Sequence, residues 1–481
     1  MPAPVLSIAQ MRAWEQSTWA AGQTEQEVIQ RVGRALADRA LALTRPGDPI
    51  LLLAGKGHNG DDARAMQPHL PGRSVELIEV DRPGEAQAAI AAALALRPAL
   101  VVDGLFCIGL RRPLGQDWVD LIDLINRANL PVLAVDVPSG LNADTGEPWG
   151  TAIRATVTLT VGTPKPGLLA TAAADWVGRL EVASDVGLHP APPKNGLQWV
   201  LADDFSRFPP PRPAAGHKGT FGHLLIVAGS LGYHGASVLA ARGAQRARPG
   251  LVTLFTEDRV YTPVASQLQA VMVRPWTASS DWPETTTALL FGPGLAAPDL
   301  SPELKATLRR CWREFASPVI VDASALDWLP EGPCATAALR VITPHPGEAA
   351  RLLKTTTGTV QTDRVGALRA LSARYGDCWV VLKGRHTLVG RSQGDVFVNG
   401  SGNPSLGQGG SGDALAGYLG GLLAQPALAA EPSLALRYGV WQHGAAADAL
   451  QAARPNWIVE DLLDALGAVS PSGTLEPSHQ P

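Results

Sequence analysis

The run Gly400-Ser-Gly-Asn-Pro-Ser-Leu-Gly-Gln-Gly-Gly-Ser-Gly-Asp413, followed by the apolar stretch Ala414–Leu423, decides how the second half of this chain is read. A loop of small residues that opens a helix lets successive backbone N–H groups point at one centre. The helix dipole adds partial positive charge at the same place. The pattern describes a phosphate-binding device with an aspartate at its edge. Asp413 is placed to take a proton from a hydroxyl while a phosphoryl group rests on the amides. The same residues also describe a Gly-Ser turn before a core helix, with Asp413 as a plain N-cap. Glycine-rich loops are common, so the loop alone leaves the two readings level.

Neighbouring stretches tip the balance. Val380-Val-Leu-Lys-Gly-Arg-His-Thr387 is a buried strand that ends in Lys383 and leads into a hairpin to Leu388–Val389. A lysine at the carboxyl end of a strand, upstream of an anion hole, suits nucleotide phosphates; otherwise it is a surface lysine after an edge strand. Thr343-Pro-His-Pro-Gly-Glu348 sets His345 between two prolines at the mouth of a helix, and the prolines are expected to point it out of the loop. Taken alone, His345 reads equally as a loop residue and Glu348 as an ordinary first-turn acid. Gly292-Pro-Gly-Leu295 turns after the strand Ala288–Phe291, and Val319-Ile-Val-Asp322 ends a strand in an acid, a candidate near phosphates or a metal.

Working outward, strand-like and helix-like patterns alternate through most of the 481 residues, which predicts parallel α/β architecture in two domains. In the first half, Ile50–Ala54, Ala99–Val102 and Val132–Val135 read as buried strands, and Glu85–Arg97 and Gln116–Ala128 as helices. Val157–Val161 and Arg179–Ala183 close this half. The Pro-rich passages Pro190–Pro193 and Pro209–Pro213 read as linker or surface chain, and a fresh pattern starts at His223–Ala228, so the boundary falls near residue 195. The polar end, residues 470–481, reads as a disordered tail.

Three strand ends in the first half carry polar residues. Gly55-Lys-Gly-His-Asn-Gly-Asp-Asp62 follows the first strand, where phosphates are often held. Val101-Val-Asp103 leads into Gly104-Leu-Phe-Cys-Ile-Gly-Leu110, and Ala134-Val-Asp-Val-Pro-Ser-Gly-Leu141 carries Asp136 and Ser139. Carboxylates, an amide and a hydroxyl are hard oxygen donors, suited to an alkali or alkaline-earth cation rather than zinc. Each acid could instead cap the helix that follows, which accounts for one of them more easily than for all.

Composition narrows the classes. The chain is 46% hydrophobic and 17% charged with a formal net charge of −4, so no global field points to nucleic acid or a membrane surface. An anionic ligand must be held by local groups. The four cysteines are scattered, without the spacing of zinc ligands or of a disulfide framework, which favours a reducing compartment. The first 15 residues lack the pattern of a signal peptide, and no apolar run reaches the roughly 18 residues of a membrane span. The expectation is a cytoplasmic protein.

In the second half, His217-Lys-Gly-Thr-Phe-Gly222, Ala228-Gly-Ser230, Gly292-Pro-Gly294, Val321-Asp-Ala323, Thr343-Pro-His-Pro-Gly-Glu348, Leu382-Lys-Gly384 and Gly409-Gly-Ser-Gly-Asp413 occur in an order that resembles the ADP-dependent NAD(P)H-hydrate dehydratases. The resemblance implies a ribokinase-like α/β/α sandwich over residues 195–469. It implies that Ala236, Gly294, His345 and Asp413 line the hydrated nicotinamide nucleotide, and that Lys383, Gly384, Arg385, His386, Thr387 and Gly412 hold the adenine nucleotide. ADP as co-substrate and Mg2+ come with it. Asp413 would activate the C6 hydroxyl of the hydrate to accept a phosphoryl group, and phosphate would then leave. Gly407-Gln408, Arg385 and Ala296 depart from the usual Ala-Thr, Ala and Gly; Arg385 adds a phosphate contact or changes nucleotide preference.

The first domain, residues 1–194, is similar to the NAD(P)H-hydrate epimerases over most of residues 1–187, including Thr160-Val-Gly-Thr-Pro-Lys-Pro-Gly167. That likeness implies a Rossmann-like three-layer α/β/α sandwich. Asn59, Asp103 and Ser139 would bind K+. His58, Asn59, Gly60, Asp61 and Asp62 would meet the substrate, as would Cys107, Ile108, Gly109, Leu110, Arg111, Arg112 and Pro113, with Asp136 as acid/base. The family form of the first loop is Asn-Asn-Gly-Gly-Asp-Gly, where this chain has His58-Asn-Gly-Asp-Asp-Ala63. Asp61 puts a carboxylate beside the expected phosphate and replaces a glycine suited to positive φ, so the loop is either weakened or rebuilt around His58. The substrates would be NADHX and NADPHX, and a homo-oligomer is expected. The rival reading is a ribokinase-like kinase of a small alcohol, with a first domain that binds a nucleotide without turning it over.

Overall fold

The computed structural model describes residues 2–110, 112–189, 196–277 and 280–471. Pro190–Pro193, Arg111 and the tail beyond residue 471 lie outside the described residues. The chain forms two compact units, which divide between Asn195 and Gly196.

In the N-terminal unit six strands form one parallel sheet: β1 (Pro49–Ala54), β2 (Ser74–Glu79), β3 (Leu100–Gly104), β4 (Val132–Val135), β5 (Val157–Val161) and β6 (Arg179–Ala183). Their order is β2-β1-β3-β4-β5-β6. Successive strand side chains face opposite ways. Ile50 and Leu52 therefore pack with Val28, Val32 and Leu36 of the helix Glu25–Leu43, whereas Leu51 and Leu53 pack with Ile90, Leu121 and Ile122 from the helices on the other face. Burial on both faces is why these strands read as continuous apolar runs. The chain leaves β1 outward to β2 and returns inward to β3. The crevice beyond the carboxyl ends of β1 and β3 is thus the switch point where open α/β sheets hold ligands.

In the C-terminal unit the strands are β7 (Leu197–Trp199), β8 (His223–Val227), β9 (Leu251–Thr256), β10 (Met272–Pro275), β11 (Ala288–Phe291), β12 (Val319–Val321), β13 (Arg340–Ile342), β14 (Trp379–Leu382), β15 (Leu388–Gly390) and β16 (Val396–Val398). They are ordered β7-β16-β15-β14-β13-β12-β11-β8-β9-β10. Among these ten described strands β15 alone runs antiparallel to both neighbours, as the hairpin after Lys383 requires. Leu224, Ile226, Leu290, Ile320, Val341 and Val381 share one core with the helices His234–Arg246, Ser411–Leu423 and Pro432–Ala453. The small residues of the helix after Asp413 have a packing reason. A Cβ on Gly417 would lie 1.9 Å from the carbonyl oxygen of Ala240, so these two helices meet backbone to backbone. The switch point here lies between β8 and β11, beneath the loops 228–230 and 292–294. No helix among the described residues is long and apolar enough to cross a membrane.

Candidate active sites

In the N-terminal unit the helix His58–Met66 starts at the end of the first loop, with Gly57 as its N-cap. Gly60 is required by close approach, because a Cβ there would lie 2.0 Å from the carbonyl oxygen of Gly55. Asn59 donates its amide to the carbonyls of Phe106 (2.9 Å) and Val135 (2.6 Å). Asp103 accepts from the Ser139 amide (2.8 Å), and the Ser139 hydroxyl accepts from the Phe106 amide (2.9 Å). Asn59, Asp103 and Ser139 are thus drawn to one point at the switch. Asp103 is 1% exposed, and burial pushes its carboxyl up to about 6 against hydrogen bonds from Ser139 and Leu105; no cationic side chain among the described residues offsets it. The Asn59 amide oxygen, the Ser139 hydroxyl and the Asp103 carboxylate are the hard oxygen donors of this cluster, while the Phe106 and Val135 carbonyls accept from the Asn59 amide nitrogen. The donor set fits a hard cation that would compensate the Asp103 charge.

A cavity of about 170 Å³ opens beside this point. Asp136 lines it, held at a left-handed φ of 63° just after β4. Its Oδ1 accepts from the Thr160 hydroxyl (2.9 Å), the Val161 amide (2.8 Å) and the fully buried Lys165 ammonium (2.5 Å). Asp62 also lines the cavity, and burial together with the charges of Asp136, Asp61 and Glu15 drives it well above the usual carboxylate range. Glu15 is raised as well, by burial first and Asp136 second.

The cavity gathers His58, Asn59, Asp62, Cys107, Ile108 and Asp136 from the residues expected at the epimerase substrate. Gly60, Asp61, Gly109, Leu110, Arg112 and Pro113 do not line it. One expectation about the first loop needs correcting. Asp61 lies inside a helix, so the position calls for no positive φ, and its carboxylate pairs with Arg64 (2.8 Å). His58 is the first residue of that helix, and its Nε2 contacts Glu25 at 2.7 Å. Lys165 and Glu15 were missed. Lys165 stood within the quoted 160–167 stretch, but its role depends on a contact 29 residues back in the chain.

In the C-terminal unit Asp413 sits in the first turn of the helix Ser411–Leu423. The N-cap is Gly410 at φ 96°, without side-chain capping, so the plain N-cap reading of Asp413 is excluded. No backbone carbonyl among the described residues accepts from the Gly412 or Asp413 amide, which leaves both donors available at the positive end of the helix. Lys383 pairs with Asp322 at 2.7 Å and lies 4.0 Å from Glu348. Asp322 also accepts from the Thr343 hydroxyl (2.6 Å). An added Cβ on Gly412 would lie 3.3 Å from the Lys383 ammonium, so the anion hole and the lysine face one another. Burial, then the charge of Asp322, then Glu348, pushes the Asp413 carboxyl up to about 7 against the pull of Lys383. Burial opposes the charge on Lys383, but Asp322 and Glu348 outweigh it and hold the ammonium above its ordinary range.

Gly294 lies against Ala236, the two brought together by the loops after β8 and β11; Ser230 locks these loops by donating to the Gly294 carbonyl (2.6 Å). His345 is exposed, as its place between two prolines predicts. Its Nδ1 accepts from the Gly347 amide (3.0 Å), and Glu348 accepts from the His345 amide (2.7 Å). This reciprocal cap starts the helix Pro346–Leu353 and fixes Glu348 toward Lys383. Gly384 through Thr387 form the turn after Lys383, and Thr387 donates to the Gly384 carbonyl (3.1 Å).

Comparison with known proteins follows the same division. Residues 224–468 match the family described as NAD(P)H-hydrate dehydratase, and residues 79–167 match the YjeF-related protein N-terminus. A bifunctional NAD(P)H-hydrate repair enzyme from Gloeobacter violaceus is 36% identical over 93% of this chain and 94% of its own. The counterpart from Escherichia coli is 34% identical over 90% and 86%. A ribokinase-like superfamily protein from Enterococcus faecalis superposes with a TM-score of 0.50 at 22% identity, covering 60% of this chain and all of its own, so the C-terminal fold is ribokinase-like. Two units with these sites, in the order of relatives matched along nearly their whole length, place this chain in the family of bifunctional NAD(P)H-hydrate repair enzymes.

Proposed function

We propose that the C-terminal unit dehydrates S-NAD(P)HX at the expense of an adenine nucleotide, and that the N-terminal unit interconverts the R and S hydrates. The observation that carries the reading is the Asp413 carboxyl, raised to about 7 between a free helix N-terminus and Lys383, which is itself paired with Asp322. A base poised near neutrality can accept the proton of the C6 hydroxyl as that oxygen attacks the terminal phosphorus of ADP. AMP leaves, with the Gly412 and Asp413 amides and Lys383 facing the charge that moves. The C6–O bond then breaks as the ring nitrogen's electrons push phosphate out, and loss of the C5 proton restores NAD(P)H. The hydrate's oxygen departs in the phosphate.

Magnesium bound with the nucleotide would neutralise phosphate charge. Asp322 and Glu348 are the carboxylates nearest to hold it; few protein ligands suit an ion that phosphates largely coordinate. In the N-terminal unit Asn59, Asp103 and Ser139 would hold K+, which supplies the missing counter-charge. Asp136, oriented by Lys165, Thr160 and Val161, moves the proton as the C6 hydroxyl departs and returns on either face. Asp62 and Glu15, both raised toward the neutral acid, are the neighbouring proton donors.

The test is recovery of absorbance at 340 nm from a mixture of R- and S-hydrated NADH with ADP and magnesium. Recovery lost in Asp413→Ala, with only the R fraction slowed in Asp136→Ala, supports both assignments. No recovery by wild type with ADP or ATP sinks them and favours an alcohol kinase.

A further inference from the structure

The turn Lys383–Thr387 rests on one half-buried cation. Arg364, the first residue of the helix Arg364–Arg374, donates from Nη1 to the His386 carbonyl (3.1 Å) and the Arg385 carbonyl, and from Nη2 to the carbonyls of Leu382 (3.1 Å) and Lys383 (3.2 Å). No acidic side chain pairs with it among the described residues. Its helix is capped by Asp363, which is occupied with the Gly366 amide at 2.8 Å.

Packing alone would not select this arrangement. A guanidinium deprived of water is costly without a carboxylate. It sits at the positive end of a helix dipole, and burial followed by the nearby Arg385 charge lowers it to about 10. What it gains is control of one turn. In a planar trans peptide the C=O of one residue and the N–H of the next point in opposite directions. Drawing the carbonyls of Leu382, Lys383, Arg385 and His386 to one side turns the amides of Lys383, Gly384, His386 and Thr387 to the other. The Lys383 amide is occupied by the Pro344 carbonyl (2.9 Å), which leaves three. Gly384 at φ 130° and His386 at φ 54° give the alternating backbone that makes an anion-binding concavity.

We propose that Arg364 is the positioning residue of the nucleotide site: by gripping four carbonyls from below, it presents the Gly384, His386 and Thr387 amides to the phosphates of a nucleoside diphosphate. This rests on the reading that residues 383–387 hold the nucleotide. Lysine is no substitute, since one ammonium cannot reproduce a planar fork spanning four acceptors.

The experiment uses the full-length protein and measures KM for ADP, KM for the hydrate and kcat in Arg364→Lys, Arg364→Ala and Lys383→Met, with epimerase rate and Tm as controls. Both Arg364 variants are expected to raise KM for ADP by about tenfold or more, while kcat stays within about threefold. KM for the hydrate should stay unchanged, and added guanidinium should restore part of the ADP affinity of Arg364→Ala. Should the Arg364 variants fail to fold, Gly384→Ala serves instead. Its Cβ would lie 3.2 Å from Arg364 Nη2 at a φ that side chains avoid, and the same rise is expected. An unchanged KM for ADP in the folded variants overturns the role of Arg364, as does a parallel fall in kcat and Tm. If Lys383→Met alone moves KM for ADP, the nucleotide site stands without Arg364; if none does, the site assignment itself fails.

Discussion

Asp413 and Asp136 carry the same group in opposite electrostatic settings, and their substitution should have opposite effects on stability. Asp413 has a raised pKa, so between an unfolded value of about 4 and a folded value of about 7 the native state holds a proton that the unfolded chain has lost. Stability contributed by this residue therefore falls as pH rises through that window. Asp413→Asn removes the base, so dehydratase turnover should drop by about 100-fold or more. Its Tm should exceed that of wild type by more at pH 8 than at pH 5, as scanning calorimetry at the two pH values would reveal. In the wild type, kcat/KM should climb through a limb near pH 7. Asp136→Ala strands the fully buried Lys165 ammonium and should cost about 3–5 kcal/mol in urea unfolding. The double variant Asp136→Ala/Lys165→Met should regain most of that stability but no epimerase activity. Recovery of none of it would mean that the ion pair is not the source of the loss. Asp413 was legible because it ends a glycine- and serine-rich loop, and Asp136 because it ends a strand just before a Pro-Ser-Gly turn. Lys165 was not, because a lysine between prolines gives no sign that its ammonium is buried.

At the scale of elements, the altered loop 58–63 is the informative case. Matched against a family pattern, Asp61 is a carboxylate in place of a glycine. In the fold it occupies the first turn of a helix, where an acid complements the dipole, and it pairs with Arg64. Restoring the family residue should therefore not help. Asp61→Gly should lose roughly 0.5–1 kcal/mol from helix entropy and leave the epimerase no faster; a clear gain in rate would show that the carboxylate does hinder phosphate. Gly60 behaves differently, since any side chain there meets the Gly55 backbone. Gly60→Ala should slow the epimerase and leave the dehydratase at wild-type rate. The strands were legible element by element, because burial on both faces writes them as apolar runs. The helical start at His58 was not, because the N-cap Gly57 offers no side chain to cap the helix and sits in a run of glycines that reads as loop.

At the scale of the molecule, the proposed sites predict two different ion requirements, one in each unit. Asp103, buried without a cationic neighbour among the described residues, should make the first unit respond to potassium. Replacing K+ with choline should slow epimerisation, most strongly near pH 6 where the uncompensated carboxyl protonates, and leave dehydration in excess R,S-hydrate unaffected. Chelating magnesium should do the reverse. Equal effects on both activities would contradict the separation. The order of strand-end motifs was sufficient by itself to determine two α/β units, the dehydratase and epimerase likeness, and the acids at the strand ends, because parallel strands collect functional residues in the loops that follow them. Only the tertiary structure decided the partners: Lys165 for Asp136, Asp322 for Lys383, and Arg364 beneath the 383–387 turn. Each of those contacts joins groups whose charge and burial are set by neighbours on other elements, and burial is a property of the assembled fold rather than of any stretch of chain.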